Sequence, residues 1–155
     1  VPPLIIRVNC GGVQVRDAHG RLWAGDKPYT EGSWGYVGGK VYTTGNEIAD
    51  TANDIIYQSE RWGDFFYLFD VPNGRYRVTL LFAEIYRDNP EVRQFGVRLE
   101  GQWKLSELDL VALVGRDTAH VEELTIDLAD GQLGIEFEKQ LDNPKVNGII
   151  VQRIG

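Results

Sequence analysis

The stretch that decides the fold is Phe65-Phe66-Tyr67-Leu68-Phe69-Asp70-Val71, followed by Pro72-Asn73-Gly74 and then Arg75-Tyr76-Arg77-Val78-Thr79-Leu80-Leu81-Phe82-Ala83-Glu84. Its first part is dense in aromatic and β-favouring residues, and its last alternates in the manner of a strand. Between them Pro presets φ and Gly accepts a positive φ, so the middle reads as a turn. Two strands joined this closely predict an antiparallel hairpin. The same pattern recurs outward in both directions. Strands are predicted over residues 92–100, 120–128, 132–138 and 146–153, with turns at Glu100-Gly101-Gln102 and Ala129-Asp130-Gly131. Ile5-Ile6-Arg7-Val8-Asn9 is a further apolar, strand-like run. Helical periodicity is nearly absent, and only residues 46–59 suit a short helix. Many short strands at turn-marked intervals predict an all-β antiparallel sandwich of jelly-roll type. Residues 11–63 read as the loop-rich exception, the kind of segment that carries binding on a rigid sandwich.

The 155 residues suit one domain, with no internal linker or repeat. The chain opens Val1-Pro2-Pro3, without a charged-then-apolar leader, and contains no Met, as expected of a piece excised from a longer chain. No run of about 18 apolar residues is present to span a bilayer. A formal charge of −7 argues against nucleic acid and anionic membrane surfaces, and weakly favours a neutral ligand over a polyanionic one. Cys10 is the single cysteine and reads as a buried free thiol. His19 and His120 are the available histidines, and neither lies in a nucleophile motif.

Catalytic signatures are missing: no HExxH, no G-x-S-x-G, no Walker loop and no zinc spacing. The glycines of Asn9-Cys10-Gly11-Gly12 follow a strand, but no helix pattern comes after them, which rules out a phosphate loop. A glycosidase needs two facing carboxyls. Among Glu84, Asp88, Glu91, Asp109, Asp117 and Asp142 the sequence pairs none. Asp88-Asn89-Pro90-Glu91 is oxygen-rich yet short of the ligands calcium requires, and reads as a turn. No cofactor is called for; a structural calcium ion is compatible with the sequence but not indicated. The aromatics say more. Trp23, Tyr29, Trp34, Tyr36, Tyr42, Tyr57 and Trp62 crowd the loop-rich third, several beside glycines, as in Gly32-Ser33-Trp34-Gly35-Tyr36-Val37-Gly38-Gly39. Small neighbours would leave ring faces open for the C–H faces of sugars. Glu60 and Arg61 read as structural, Trp62 as a binding residue.

The ordered segments Val8-Asn9-Cys10-Gly11-Gly12, Tyr57-Gln58-Ser59-Glu60-Arg61-Trp62-Gly63, Phe82-Ala83-Glu84-Ile85-Tyr86, Arg93-Gln94-Phe95-Gly96-Val97 and Asp142-Asn143-Pro144-Lys145-Val146-Asn147-Gly148-Ile149 resemble the malectin family. So do the Val71-Pro72-Asn73-Gly74-Arg75-Tyr76 turn and Leu108-Asp109-Leu110. The resemblance covers nearly the whole chain and implies a malectin-like β-sandwich that binds carbohydrate without catalysis. Such domains stand in the endoplasmic reticulum of animals, in plant receptor kinases, and as accessory modules of bacterial glycoside hydrolases. The accessory type fits best here, implying a catalytic domain in the same parent chain and a secreted or periplasmic location. Carried over by motif, Trp62 takes the place of a stacking tyrosine, Tyr86 matches the aromatic after Ala-Glu-Ile, and Asp142 matches the sugar-binding aspartate. A loop tyrosine of the family maps onto Tyr36, with Trp34 as a competitor. The family's second aromatic after the Tyr86 position is here Arg87. That replacement changes the pocket and leaves a glucan, a galactose-containing glycan or another plant polysaccharide open as ligand. Arg87 and Glu84 are expected to help fix hydroxyl orientation. Arg87 also favours the alternative, a structural or protein-interaction sandwich without sugar binding.

Overall fold

The computed structural model describes residues 4–155, so Val1, Pro2 and Pro3, from which the leader was judged, lie outside the described residues. Twelve strands and two single-turn helices follow one another along the described chain: β1 (Ile5–Asn9), β2 (Val15–Arg16), β3 (Leu22–Gly25), β4 (Trp34–Thr43), α1 (Asp54–Tyr57), β5 (Ser59–Asp70), β6 (Gly74–Phe82), β7 (Gln94–Leu99), β8 (Gln102–Leu108), α2 (Leu110–Val114), β9 (His120–Leu128), β10 (Gln132–Leu141), β11 (Lys145–Val146) and β12 (Gly148–Arg153). They form two sheets. One runs β2-β3-β1-β12-β6-β9; the other runs β11-β5-β10-β7-β8, with β4 also paired to β5. Pairing is antiparallel throughout both sheets except between β1 and β3. The protein is an all-β sandwich, as its turn-marked alternation predicts.

The predicted hairpin at residues 65–84 is corrected by the topology. β5 and β6 belong to opposite sheets, so Pro72-Asn73-Gly74 carries the chain across the sandwich instead of folding it back in one sheet. Both strands are amphipathic with period two, and their apolar faces meet: Phe65, Tyr67 and Phe69 from one, Tyr76, Val78, Leu80 and Phe82 from the other, none more than 2% exposed. A hairpin would set these two apolar faces side by side; the arch sets them face to face and buries both. The Tyr76 hydroxyl closes the corner by donating to the Pro72 carbonyl at 2.6 Å. β9 and β10 make a second arch at Ala129-Asp130-Gly131, whereas the turn predicted at Glu100-Gly101-Gln102 joins β7 in a hairpin to β8, a strand that the sequence reading did not mark.

Residues 11–63 are less irregular than expected. They hold ten-residue β4, which lies along β5 from Trp34 opposite Phe69 to Thr43 opposite Ser59. The helix expected over 46–59 is reduced to the single turn of α1, while α2 follows Asp109, whose carboxylate accepts from the Ala112 N–H at 3.1 Å. The strand expected over 146–153 breaks at Asn147. Its side chain accepts from Ala83 N and donates to Tyr57 O and Ser59 O, each at 2.9 Å. With its amide spent on three other segments, Asn147 lets β11 join one sheet and β12 the other. A second, smaller cluster of Trp23, Ile48, Ile56, Tyr57, Leu81, Ala83 and Ile85 packs where the 44–58 segment covers the first sheet.

Candidate functional site

One end of the sandwich holds a cavity of about 140 Å³ lined by Tyr42, Glu60, Trp62, Tyr86, Arg87, Arg93, Asp142 and Asn143. Four separate stretches of chain build it. Glu60 and Trp62 come from β5, whose other edge is shared by β10 and β11; the loop between those two strands brings Asp142 and Asn143. Asp142 sits at φ 71, a left-handed conformation that Asp tolerates, and its Oδ1 accepts from the Asn143 N–H at 2.7 Å.

The loop after β6 supplies Tyr86 and Arg87. Glu84 shapes it from below: Oε2 accepts from the N–H groups of Tyr86 and Arg87 at 3.2 and 3.1 Å, and Oε1 accepts from Arg93 Nε at 2.7 Å. Arg93 then donates to the Asn143 carbonyl at 2.7 Å. The Glu84–Arg93 pair, 1% and 5% exposed, therefore ties the two loops together. Glu84 is buried under the cavity and does not line it.

β4 contributes Tyr42 through a slip in register, where β5 carries one extra residue. Trp34, Tyr36 and Gly38 stand opposite Phe69, Tyr67 and Phe65, but the register slips by one after Gly38, so Lys40 and Tyr42 stand opposite Trp62 and Glu60. A one-residue slip exchanges the faces of a strand. Trp34 and Tyr36 consequently turn to the core, where Trp34 stacks on Phe69 at 5.8 Å and the Arg61 guanidinium lies 3.3 Å from the Tyr36 ring centre. Tyr42 joins the cavity, its ring edge-on to Tyr86 at 5.1 Å. The structure thus brings Trp62, Tyr86, Arg87 and Asp142 together, sets Glu84 beneath them, and leaves Trp34 and Tyr36 outside. Tyr42, Arg93, Asn143 and Glu60 complete the lining. The available sign for Tyr42 is its glycine pair, Gly38-Gly39, read as openness around rings where it marks the register slip.

Charges around the cavity are paired. Asp142 holds Arg87 through Nη2 at 2.7 Å and Nε at 2.8 Å, and Glu60 holds Lys145 at 2.7 Å, both members of the latter pair being almost fully buried. Burial acts to raise the Asp142 carboxyl, but the Asn143 N–H and the guanidiniums of Arg93 and Arg87 outweigh it and hold the group below the usual carboxylate range. Arg87 also lies 4.8 Å above the Tyr86 ring. Past Trp62 and Asn143 the surface continues as a wider cleft bordered by Gly39, Lys40, Gly63 and Asp64. Among the described residues no group of three or more His, Cys, Asp or Glu side chains is placed to hold a metal ion. Aromatic walls with a few fixed polar groups suit a ring-shaped, hydroxylated ligand.

Sequence and structure comparisons agree with this architecture. The malectin domain matches residues 4–149. Malectin of Homo sapiens is 30% identical over 165 residues, covering 96% of this chain and 56% of that protein. Malectin-A of Xenopus laevis is 28% identical over 167 residues, covering 97% and 60%. The chain therefore spans less than two thirds of the length of these curated relatives. Among solved structures, Bacteroides uniformis β-glucuronidase superposes with a TM-score of 0.92 at 31% identity, over 98% of this chain and 18% of that one. The ANX2 ectodomain from Arabidopsis thaliana shares the fold, with a TM-score of 0.80 at 16% identity over 97% of this chain and 49% of that one. With nearly its whole length matched by the malectin domain, the chain belongs to the malectin family.

Proposed function

We propose that this domain is a carbohydrate-binding module whose ligand, an oligo- or polysaccharide, lies between Tyr42, Trp62 and Tyr86 and is oriented by Asp142 and Arg87. The family is a carbohydrate-binding, non-catalytic one, and the observation that carries the finer reading is the convergence of three rings and an Arg–Asp pair, from separate stretches of chain, on one cavity. The rings stack on sugar C–H faces, while carboxylate, guanidinium and amide groups select hydroxyl positions. Catalysis finds no support in the geometry. A glycosidase acid needs a raised pKa, whereas Asp142 is held low by its guanidinium neighbours and Glu84 is buried against Arg93.

The likeness to a segment amounting to 18% of a Bacteroides uniformis β-glucuronidase supports reading this domain as an accessory module of a carbohydrate-active enzyme, secreted or periplasmic. There it raises the effective concentration of the catalytic domain on a multivalent glycan. Affinities of about micromolar to millimolar suffice, roughly 4 to 8 kcal/mol. The test is a glycan array followed by titration calorimetry of wild type, Trp62→Ala and Asp142→Ala. The expected result is a defined glycan bound by wild type and weakened at least about 10-fold by each substitution, with folding intact. A blank array, or binding unaffected by both, overturns the reading.

A further inference from the structure

Every carboxylate around the cavity already holds a cation: Asp142 with Arg87, Glu84 with Arg93, Glu60 with Lys145. Backbone N–H groups take up more of their capacity, Asn143 on Asp142, and Tyr86 and Arg87 on Glu84. The donors are less committed. Among the described residues, Nη1 of Arg87, Nη2 of Arg93 and the Trp62 indole N–H make no hydrogen bond to protein, and the Asn143 side-chain amide leaves both its NH2 and its oxygen unused. The Tyr42 and Tyr86 hydroxyls rotate to suit either role. The cavity therefore presents free donors on two guanidiniums and an indole, beside acceptors on the Asn143 side-chain oxygen and on Glu60, whose Oε1 takes no hydrogen bond beyond its ion pair.

A neutral hexose would give those two guanidiniums only hydroxyl partners. Each of its hydroxyls must donate as well as accept, and a hydroxyl buried without an acceptor loses its bond to water for nothing. A carboxylate only accepts, and a guanidinium matches its planar pair of oxygens. The overall charge of −7 does not forbid this, because exposed charges more than about 8 Å away are largely screened at physiological salt. Near the cavity three cations offset three carboxylates.

We infer that the sugar held in this cavity is a hexuronic acid, its carboxylate accepting from the free guanidinium nitrogens of Arg87 and Arg93. This inference rests on the carbohydrate-binding reading above and names the class of sugar. It departs from the neutral ligand that composition favours.

The experiment uses a matched pair of probes, the methyl glycosides of glucuronic acid and of glucose in both anomers, which differ at C6 as carboxylate against hydroxymethyl. Each is titrated into the 155-residue domain and followed by the Trp62 indole N–H resonance. The glucuronide is expected to bind at least about 10-fold more tightly than the glucoside, and Arg87→Leu is expected to bring the ratio towards one. A second measurement needs no variant: the glucuronide affinity of wild type falls between about 20 mM and about 0.5 M NaCl, and the glucoside affinity does not. Equal or tighter binding of the glucoside overturns the inference and leaves the carbohydrate reading standing. An indole resonance unmoved by either sugar overturns the inference too, and the glycan array then decides whether the broader reading falls with it.

Discussion

Lys145 and Glu60 show how single residues support the site. Both are buried, their charged groups lie 2.7 Å apart, and the Lys145 ammonium also donates to the Ala83 carbonyl. That arrangement joins β11, β5 and the end of β6 directly beneath the rings. Removing one partner strands a buried charge, at a cost of about 3–5 kcal/mol, whereas replacing both with apolar groups of similar volume is often close to neutral. Lys145→Met is therefore expected to lower denaturant-derived stability by roughly that amount, and Lys145→Met with Glu60→Leu to recover most of it. Urea unfolding of the three proteins checks this; a double variant no better than the single one would show that Lys145 stabilises through its hydrogen bond to the Ala83 carbonyl. In the sequence Glu60 read only as structural and Lys145 only as part of a motif. Their pairing is a long-range contact that adjacent letters do not encode.

At the scale of elements, the register slip between β4 and β5 decides which aromatics serve the cavity. Gly38 and Gly39 have φ of 80° and 84°, and a Cβ on Gly39 would meet the Phe65 Cβ at 2.9 Å and Arg61 Cγ at 3.0 Å. Gly39→Ala combines a strained backbone with a clash, so it is expected to destabilise the fold by about 1–2 kcal/mol. It is also expected to weaken glycan binding at least several-fold by shifting Tyr42. Thermal melting and calorimetry on the same preparation check the two effects; a loss of stability with binding unchanged would remove β4 from the site. Gly35 makes the complementary point. Its missing side chain leaves room for the backbone of Pro28 and Tyr29, since a Cβ there would approach Tyr29 N to 2.3 Å. Glycines beside aromatics in this segment answer to close backbone approach and register, not to open ring faces, and for that reason Trp34 and Tyr36 are absent from the cavity.

Across the whole molecule the acidic composition acts through a few carboxylates held low. The Tyr29 hydroxyl, the Gln132 amide and the Gly32 N–H lower Asp70 against the opposing effect of burial. Burial raises Asp17, but the Trp23 indole and the N–H groups of Arg21 and His19 prevail and lower it. Asp142 is lowered as described above. A carboxylate whose pKa is lower in the folded state contributes stability that is present above its unfolded value, about 3.9, and lost as pH falls through its folded value. The melting temperature is accordingly expected to be flat from about pH 6 down to about pH 4.5 and to fall below about pH 4. Asp70→Asn should lower it at pH 6 and shallow the acid decline. Melts followed by circular dichroism from pH 2.5 to 7 would show this, and a decline beginning at pH 5 to 6 would point to a different group.

By itself the sequence determined the class of fold and four of the residues that line the cavity, though not Glu60, Arg93 or Asn143 beside them: period-two alternation and turn residues are local signals, and the motifs carrying Trp62, Tyr86, Arg87 and Asp142 are short and contiguous. Tertiary structure alone decided three things. An amphipathic strand pair reads the same as hairpin or arch, and only burial of both faces in one core selects the arch between β5 and β6. The side of β4 that faces the cavity depends on a one-residue slip against its partner, which brings in Tyr42 and sends Tyr36 to the core. The pairing of each cavity carboxylate with its own cation depends on loops tens of residues apart meeting at one end of the sandwich, and that pairing sets which hydrogen bonds remain for a sugar.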